Sequence, residues 1–230
     1  MPVVIETDNL THSYSRGTAF ETKALSGVTL KVYEGEFLAV TGPAGSGKTT
    51  LIQHFNGLLK PSKGRIKIFA RGRPVEDKNL WREVGLVFQI PERQLFAETV
   101  FDEVAFGLVN MSLGLSDIKG RVKEALSQVG FDYQGFKDRL PLALSQGQQR
   151  RVAIASVLAM RPTILVMDEP TAGIDPLARK SFWAGIQELR KKRTFTIVLV
   201  THNMDEVAEH ADRVVVMKKG KVILDGSPRK

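Results

Sequence analysis

The eight residues Gly42-Pro-Ala-Gly-Ser-Gly-Lys-Thr49 constrain this chain more than any other stretch. They follow an apolar run over Glu36–Thr41 and precede a helical pattern from about Lys48 to Asn56, which stops at Gly57 with Pro61 just beyond. Strand, glycine-rich turn and helix form the context in which this spacing of Gly, Gly-Lys and Thr binds phosphate. Glycines let successive backbone N–H groups turn inward on an anion, and the following helix points its positive end at the same place. Gly42, Pro43, Ala44, Gly45, Ser46, Gly47, Lys48, Thr49 and the adjoining Thr50 are therefore candidate nucleotide-binding residues. Lys48 is expected to reach the outer phosphates, and the Thr49 hydroxyl to ligate Mg2+.

The rest of the pattern reads as α/β. The first third is β-rich, with alternation over Val28–Val32 and strand-like runs at Arg65–Phe69 and Val84–Gln89. In the middle, Phe101, Val104, Ala105 and Leu108 fall at helical spacing, as do Val122, Leu126 and Val129. From Ser145 the order is helix to Met160, strand at Ile164–Met167, helix at Pro176–Lys192 and strand at Thr196–Val200. Such alternation implies a mostly parallel sheet covered by helices. The expected organisation is one domain over 1–230: an α/β core at 1–91 and 145–230, with an antiparallel β portion near the N-terminus and a helical subdomain inserted at 92–144.

The apolar strand Ile164–Met167 runs into two acids, Asp168 and Glu169. Beside a phosphate loop, the first is expected to organise Mg2+ and the second to polarise an attacking water. Composition removes competing chemistries. There is no cysteine, so neither disulfides nor thiolate metal sites are available, and His12, His54, His202 and His210 show no metal-ligand spacing. The net charge of +8 is spread along the chain, with one basic run at Arg190–Arg193 that suits a helix end, so no nucleic-acid partner is expected. The apolar stretches are too short to cross a bilayer, so any membrane role comes through a partner.

Leu144-Ser-Gln-Gly-Gln-Gln149, followed by Arg150-Arg-Val-Ala-Ile-Ala155, resembles the signature motif of ABC ATPases, which share a P-loop NTPase fold. The motif opens a helix, so Ser145, Gly147 and Gln148 make a second anion site. The resemblance implies that this site closes over the γ-phosphate of ATP held by a second such subunit. Gln146 stands where the family has its first signature glycine. The resemblance also implies that Tyr14 stacks on adenine and that Gln89 links the Mg2+ site to the helical lobe. Asp175, in Ala172-Gly-Ile-Asp175, then meets the opposite subunit, and His202 contacts the γ-phosphate. Lys48, Gln89, Glu169 and His202 form the implied catalytic set, with Thr49, Gln89 and Asp168 at the metal.

A narrower resemblance lies in Phe88-Gln-Ile-Pro-Glu-Arg-Gln-Leu-Phe96 with Thr99-Val and Asp102-Glu-Val-Ala-Phe-Gly107, a pattern similar to energy-coupling-factor ATPases. It implies a role in import of vitamins or of cobalt and nickel ions, at the cytoplasmic face of the membrane. The implied partners are a second ATPase subunit, identical or related, a transmembrane coupling subunit and a substrate-binding membrane subunit. Gln94 is expected beside the groove for the coupling subunit, with Glu98 and Asp102 one helical turn apart as acceptors for a basic residue. Members of that family usually continue past Lys230, so the chain is either a shortened form or a subunit that relies on ATP and partners for pairing. Another type of ABC transporter, a soluble ABC ATPase acting on DNA or ribosomes, and a nucleotide sensor are the alternative readings.

Overall fold

The computed structural model describes residues 1–90, 94–192 and 195–228. In chain order the elements are β1 (Val3–Tyr14), β2 (Thr22–Tyr33), β3 (Phe37–Thr41), α1 (Lys48–Phe55), β4 (Lys63–Ala70), β5 (Arg73–Pro74), α2 (Leu80–Glu83) and β6 (Val84–Val87). There follow α3 (Val100–Asn110), α4 (Leu115–Gln128), α5 (Tyr133–Phe136), α6 (Gln146–Ala159), β7 (Ile164–Asp168), α7 (Pro176–Lys192), β8 (Thr196–Val200), α8 (Met204–His210), β9 (Arg213–Lys218) and β10 (Lys221–Gly226). The chain divides into two compact units: Met1–Leu86 with Thr163–Glu169 and Phe195–Lys230, and Val87–Pro162 with Pro170–Thr194.

The first unit is built on β-structure. One sheet has the order β2-β1-β4-β5, with β1 antiparallel to both β2 and β4. The other has the order β10-β9-β3-β8-β7-β6. In it β3 runs parallel to β8 and β9, β7 runs parallel to β8, and β10 returns antiparallel along β9. Every residue of β3, β7 and β8 is buried, which explains why these strands are continuous apolar runs and not alternating ones. Parallel neighbours end on the same side, so the C-terminal ends of β3, β7 and β8 deliver Gly42, Glu169 and His202 to one edge of the sheet.

β1, β9, β10 and α8 have no counterpart in the sequence reading. β1 departs from clean alternation because its register against β2 shifts at several points, and Asn9 within it has φ +49°. β6 ends at Val87, two residues before Gln89, so the expected strand over Val84–Gln89 is shorter than anticipated. The chain there bends away from the extended form at Gln89 and Ile90.

The second unit is helical. Val100, Val104, Leu108, Val122 and Leu126 form one apolar cluster with Val152 and Ala155 of α6. Thus α6 packs with α3 and α4, although the boundary expected from sequence fell just before it, at 144. The Thr99 hydroxyl caps α3 by accepting from the Asp102 N–H. Glu98 therefore precedes the cap and does not share a helical face with Asp102, a correction to the expected pair. Gln94 is exposed, while Pro91, Glu92 and Arg93 of the same motif, and Arg193 of the basic run, lie outside the described residues. Among the described residues no helix is long and apolar enough to cross a membrane.

His54, on α1, is 1% exposed, and burial foremost holds its imidazolium form below the usual histidine range. Its folded pKa lies below the unfolded value, so its contribution to stability is present above about pH 6.5 and is lost as pH falls through the folded value. His54→Leu is expected to lose less unfolding free energy than the parent between pH 7.5 and pH 5. Urea melts at the two pH values check this; an unchanged difference between them would contradict it.

Candidate functional site

The phosphate loop occupies the turn between β3 and α1. Gly42 has φ +141°, and a Cβ there would lie 2.1 Å from the carbonyl oxygen of Met217 on β9, so glycine alone fits. α1 starts at Lys48, and its first turn carries no acid, which leaves its positive end open to an anion. Lys48 Nζ donates to the carbonyls of Gly42 at 2.8 Å and Pro43 at 3.0 Å, arching over the loop that precedes it. Ser46 Oγ is buried and makes no hydrogen bond.

The loop and the carboxylate pair meet directly. Thr49 Oγ1 donates to Asp168 Oδ2 at 2.8 Å. Asp168 is 4% exposed, and burial foremost raises its pKa. The Thr49 hydrogen bond and the Lys48 charge oppose that rise, and the Glu169 charge adds to it. A buried carboxylate in this position gains from a cation beside it. One hydroxyl and one carboxylate oxygen together suit Mg2+, which takes few protein oxygens and completes its octahedron with phosphate and water.

Glu169 has φ +47°, a left-handed conformation that costs on the order of 1–2 kcal/mol for a residue with a Cβ. Its N–H donates to the Val200 carbonyl at 2.8 Å, which pins the turn after β7 against the end of β8. Glu169 Oε1 pairs with His202 Nδ1 at 3.0 Å; the carboxylate is largely covered, whereas the imidazole is 71% exposed. A carboxylate held by strained backbone and oriented by a histidine is suited to accept a proton or to align water.

Tyr14 ends β1 and is 40% exposed. Its hydroxyl shares a 3.1 Å hydrogen bond with Thr50 Oγ1, and its ring packs edge to face on His12, with centroids 4.7 Å apart. His12 and His54 are not among the residues expected from sequence, where these two were weighed for metal spacing only. The signal was present: His12 and Tyr14 are two apart on a strand and share a face, and His54 is one helical turn from Thr50.

The second unit carries the remaining residues. Ser145 caps α6 in a reciprocal capping box: its hydroxyl accepts from the Gln148 N–H at 3.4 Å, and its N–H donates to Gln148 Oε1 at 3.1 Å. Ser145, Gln146 and Gly147 are exposed, and a Cβ at Gly147 would meet nothing within 4 Å. Arg150, buried one turn on, donates to the carbonyls of Ala172 and Gln89, tying the start of α6 to both loops. Asp175 Oδ1 accepts from the Leu177 N–H at 3.1 Å at the start of α7. Gln89 and Asp175 are both exposed. The structure thus brings Tyr14, the loop, Thr49, Thr50, Asp168, Glu169 and His202 together in the first unit, with Gln89, Ser145, Gly147, Gln148 and Asp175 in the second.

Comparison with known proteins shows the family and the fold. A family model described as ABC transporter matches residues 25–172. The energy-coupling factor transporter ATP-binding protein EcfA2 of Clostridium tetani is 50% identical over 97% of this chain and 79% of its own length. The protein of the same name from Symbiobacterium thermophilum is 49% identical over 99% of this chain and 79% of its own. Among solved structures, cbiO1 from Clostridium perfringens, described as part of the ABC transporter complex cbiONQ, superposes with a TM-score of 0.85 at 40% identity, covering 100% of this chain and 90% of that one. A post-hydrolysis dimer of the ATP-binding cassette MJ0796 with ADP and Pi superposes equally well, at a TM-score of 0.85 and 28% identity, over 98% of this chain and 99% of that one.

Proposed function

We propose a division of labour among the site residues, starting from the fact that this chain belongs to the ABC transporter family and, within it, to the ATP-binding, ATP-hydrolysing subunits of energy-coupling factor transporters. One subunit supplies the base platform Tyr14, the loop Gly42–Thr49 with Thr50, the oxygens of Thr49 and Asp168, and the pair Glu169–His202. A second subunit, identical or related, supplies Ser145, Gly147 and Gln148, with Asp175 at the contact.

The observation that carries this reading is the 2.8 Å hydrogen bond from Thr49 to Asp168. It joins a loop built for phosphate, at the end of β3, to a carboxylate pair at the end of β7, two parallel strands with β8 between them. Loop N–H groups and Lys48 hold the phosphates, while Thr49 and Asp168 would provide oxygens for Mg2+. Mg2+, when bound, neutralises charge on the phosphate oxygens. Glu169 Oε1 accepts a proton from the attacking water, and His202 holds that carboxylate in place and meets the γ-phosphate. Two features of α6 favour its use by another subunit. Its start is exposed and bears no acid, and Gly147 occupies a helical position that this chain's own packing does not require. Helical glycine costs about 0.5–1 kcal/mol relative to alanine, which fits a position kept open for a close approach from outside.

Hydrolysis at such a shared site makes ATP a link between subunits that is broken at each turnover. The subunit works on the cytoplasmic face of the membrane, bound to a transmembrane coupling subunit that acts with a substrate-binding membrane protein. The cargo, a vitamin or a metal ion of the cobalt or nickel type, is held by that partner.

The shared site is tested with Ser145→Arg. Loss of the cap costs about 1 kcal/mol and leaves the protein folded. Mg-ADP affinity, which depends on the first subunit's residues, is expected to be unchanged, while ATP turnover of the assembled complex falls at least about a hundredfold. Wild-type turnover from the variant would remove the α6 start from the active site.

A further inference from the structure

The ring of Tyr14 packs on the buried imidazole of His12, which in turn packs on that of His54. His12 is 8% exposed, and its ring lies 4.7 Å from Tyr14 and 4.8 Å from His54, both edge to face. Their partners fix both tautomers, because a carbonyl only accepts. His12 Nδ1–H donates to the Lys60 carbonyl at 3.2 Å, and His54 Nδ1–H donates to the Thr50 carbonyl at 2.7 Å. Thr50 also holds the tip of Tyr14 through the 3.1 Å hydroxyl bond. A closed circuit results, running from the Tyr14 ring to His12, to His54, to Thr50 of α1 and back to the Tyr14 hydroxyl.

Packing alone does not call for this arrangement. Leucine or phenylalanine would fill the same volume without burying polar nitrogens. Imidazole offers what an aliphatic side chain lacks: a ring edge for the next aromatic face and a donor for a fixed carbonyl. A tyrosine held at its ring and at its tip keeps one orientation, and a platform ordered in advance binds a flat base with less loss of freedom.

We propose that His12 and His54 are positioning residues for the adenine base, fixing the plane of the Tyr14 ring and tying it to the helix that carries the phosphate loop. This rests on the assignment of Tyr14 to the base made above. The two histidines touch neither base nor phosphate; they act through Tyr14, so they set affinity for nucleotides and not for phosphate alone.

Calorimetric titration of the purified chain with Mg-ADP and, separately, with Mg-pyrophosphate tests this, with thermal melts as the fold control. His12→Leu and His54→Leu are each expected to weaken Mg-ADP binding about threefold to tenfold and to leave Mg-pyrophosphate binding unchanged. His12→Phe, which keeps a ring against Tyr14, is expected to recover most of the loss; His54→Gln, which keeps a donor but no ring, is not. Tyr14→Ala separates the two layers of the reading. If it weakens Mg-ADP while the histidine variants bind as the parent does, or weaken both ligands alike, the positioning role is wrong and Tyr14 keeps its own. If Tyr14→Ala leaves Mg-ADP affinity unchanged, the base platform falls and the positioning role falls with it. Should a leucine variant not fold, the Phe and Gln variants decide in the same way.

Discussion

Glu169→Gln is expected to lower ATP turnover by about a hundredfold or more, within the range a positioned general base contributes, while Mg-ADP affinity stays at the parent value. The substitution is nearly isosteric, and the amide can still meet His202, so the turn after β7 keeps its form. What is lost is the acceptor for the water proton. Glu169 occupies a left-handed backbone position at φ +47°, pinned through its N–H to Val200, and nothing in that pinning depends on side-chain charge. The fold is therefore expected to melt at the parent temperature. Steady-state phosphate release against Mg-ATP, run beside nucleotide titrations and a melt, measures all three quantities. Parent-level turnover would remove Glu169 as base; loss of turnover together with loss of Mg-ADP affinity would make its role structural.

Gly42→Ala is expected to have the largest effect on stability. The added Cβ would lie 2.1 Å from the Met217 carbonyl oxygen and 3.1 Å from Ser46 Oγ, on a backbone at φ +141°. Steric relief requires moving β9 or the loop, and overpacking and backbone strain at about 1–3 kcal/mol each sum to roughly 3 kcal/mol or more. At this chain length each kcal/mol lowers Tm by about 2–4 °C, so a fall on the order of 10 °C is expected. Gly45→Ala is the internal control. Gly45 has φ +71° but open space around its Cβ, so only the conformational cost of about 1 kcal/mol applies. Urea melts of the two variants should differ by at least about 2 kcal/mol; equal losses would contradict the steric account of Gly42.

Much of the site is visible in the sequence because its chemistry is local. The spacing from Gly42 to Thr49 specifies a turn between a strand and a helix, and buried strands such as Ile164–Asp168 and Thr196–Val200 announce themselves as unbroken apolar runs. Features that depend on distant pairing are less legible. β1 is a 12-residue strand whose bulged register hides its alternation, and β9 and β10 are paired by a hairpin with little local punctuation beyond Lys219 and Gly220. The capping box Ser145–Gln148 is readable from spacing, yet nothing local states that α6 packs with α3 and α4; only the assembled apolar cluster does. The same holds for Glu98, which looks like a helix neighbour of Asp102 until Thr99 is seen to be the cap. His12 and His54 stand 42 positions apart in the sequence and meet only because β1 lies over α1, with their rings 4.8 Å apart.

The central claim, an ATPase subunit driving an energy-coupling factor transporter through Glu169, is tested most directly by purifying the tagged chain in its complex from detergent-extracted host membranes. Mass spectrometry of the complex and its ATPase rate are measured for the parent and for Glu169→Gln. The account predicts that a second ATP-binding subunit and integral membrane proteins co-purify with both forms, and that only the parent complex hydrolyses ATP. A complex with ribosomes or nucleic acid, or one whose ATPase rate is indifferent to Glu169→Gln, would contradict it.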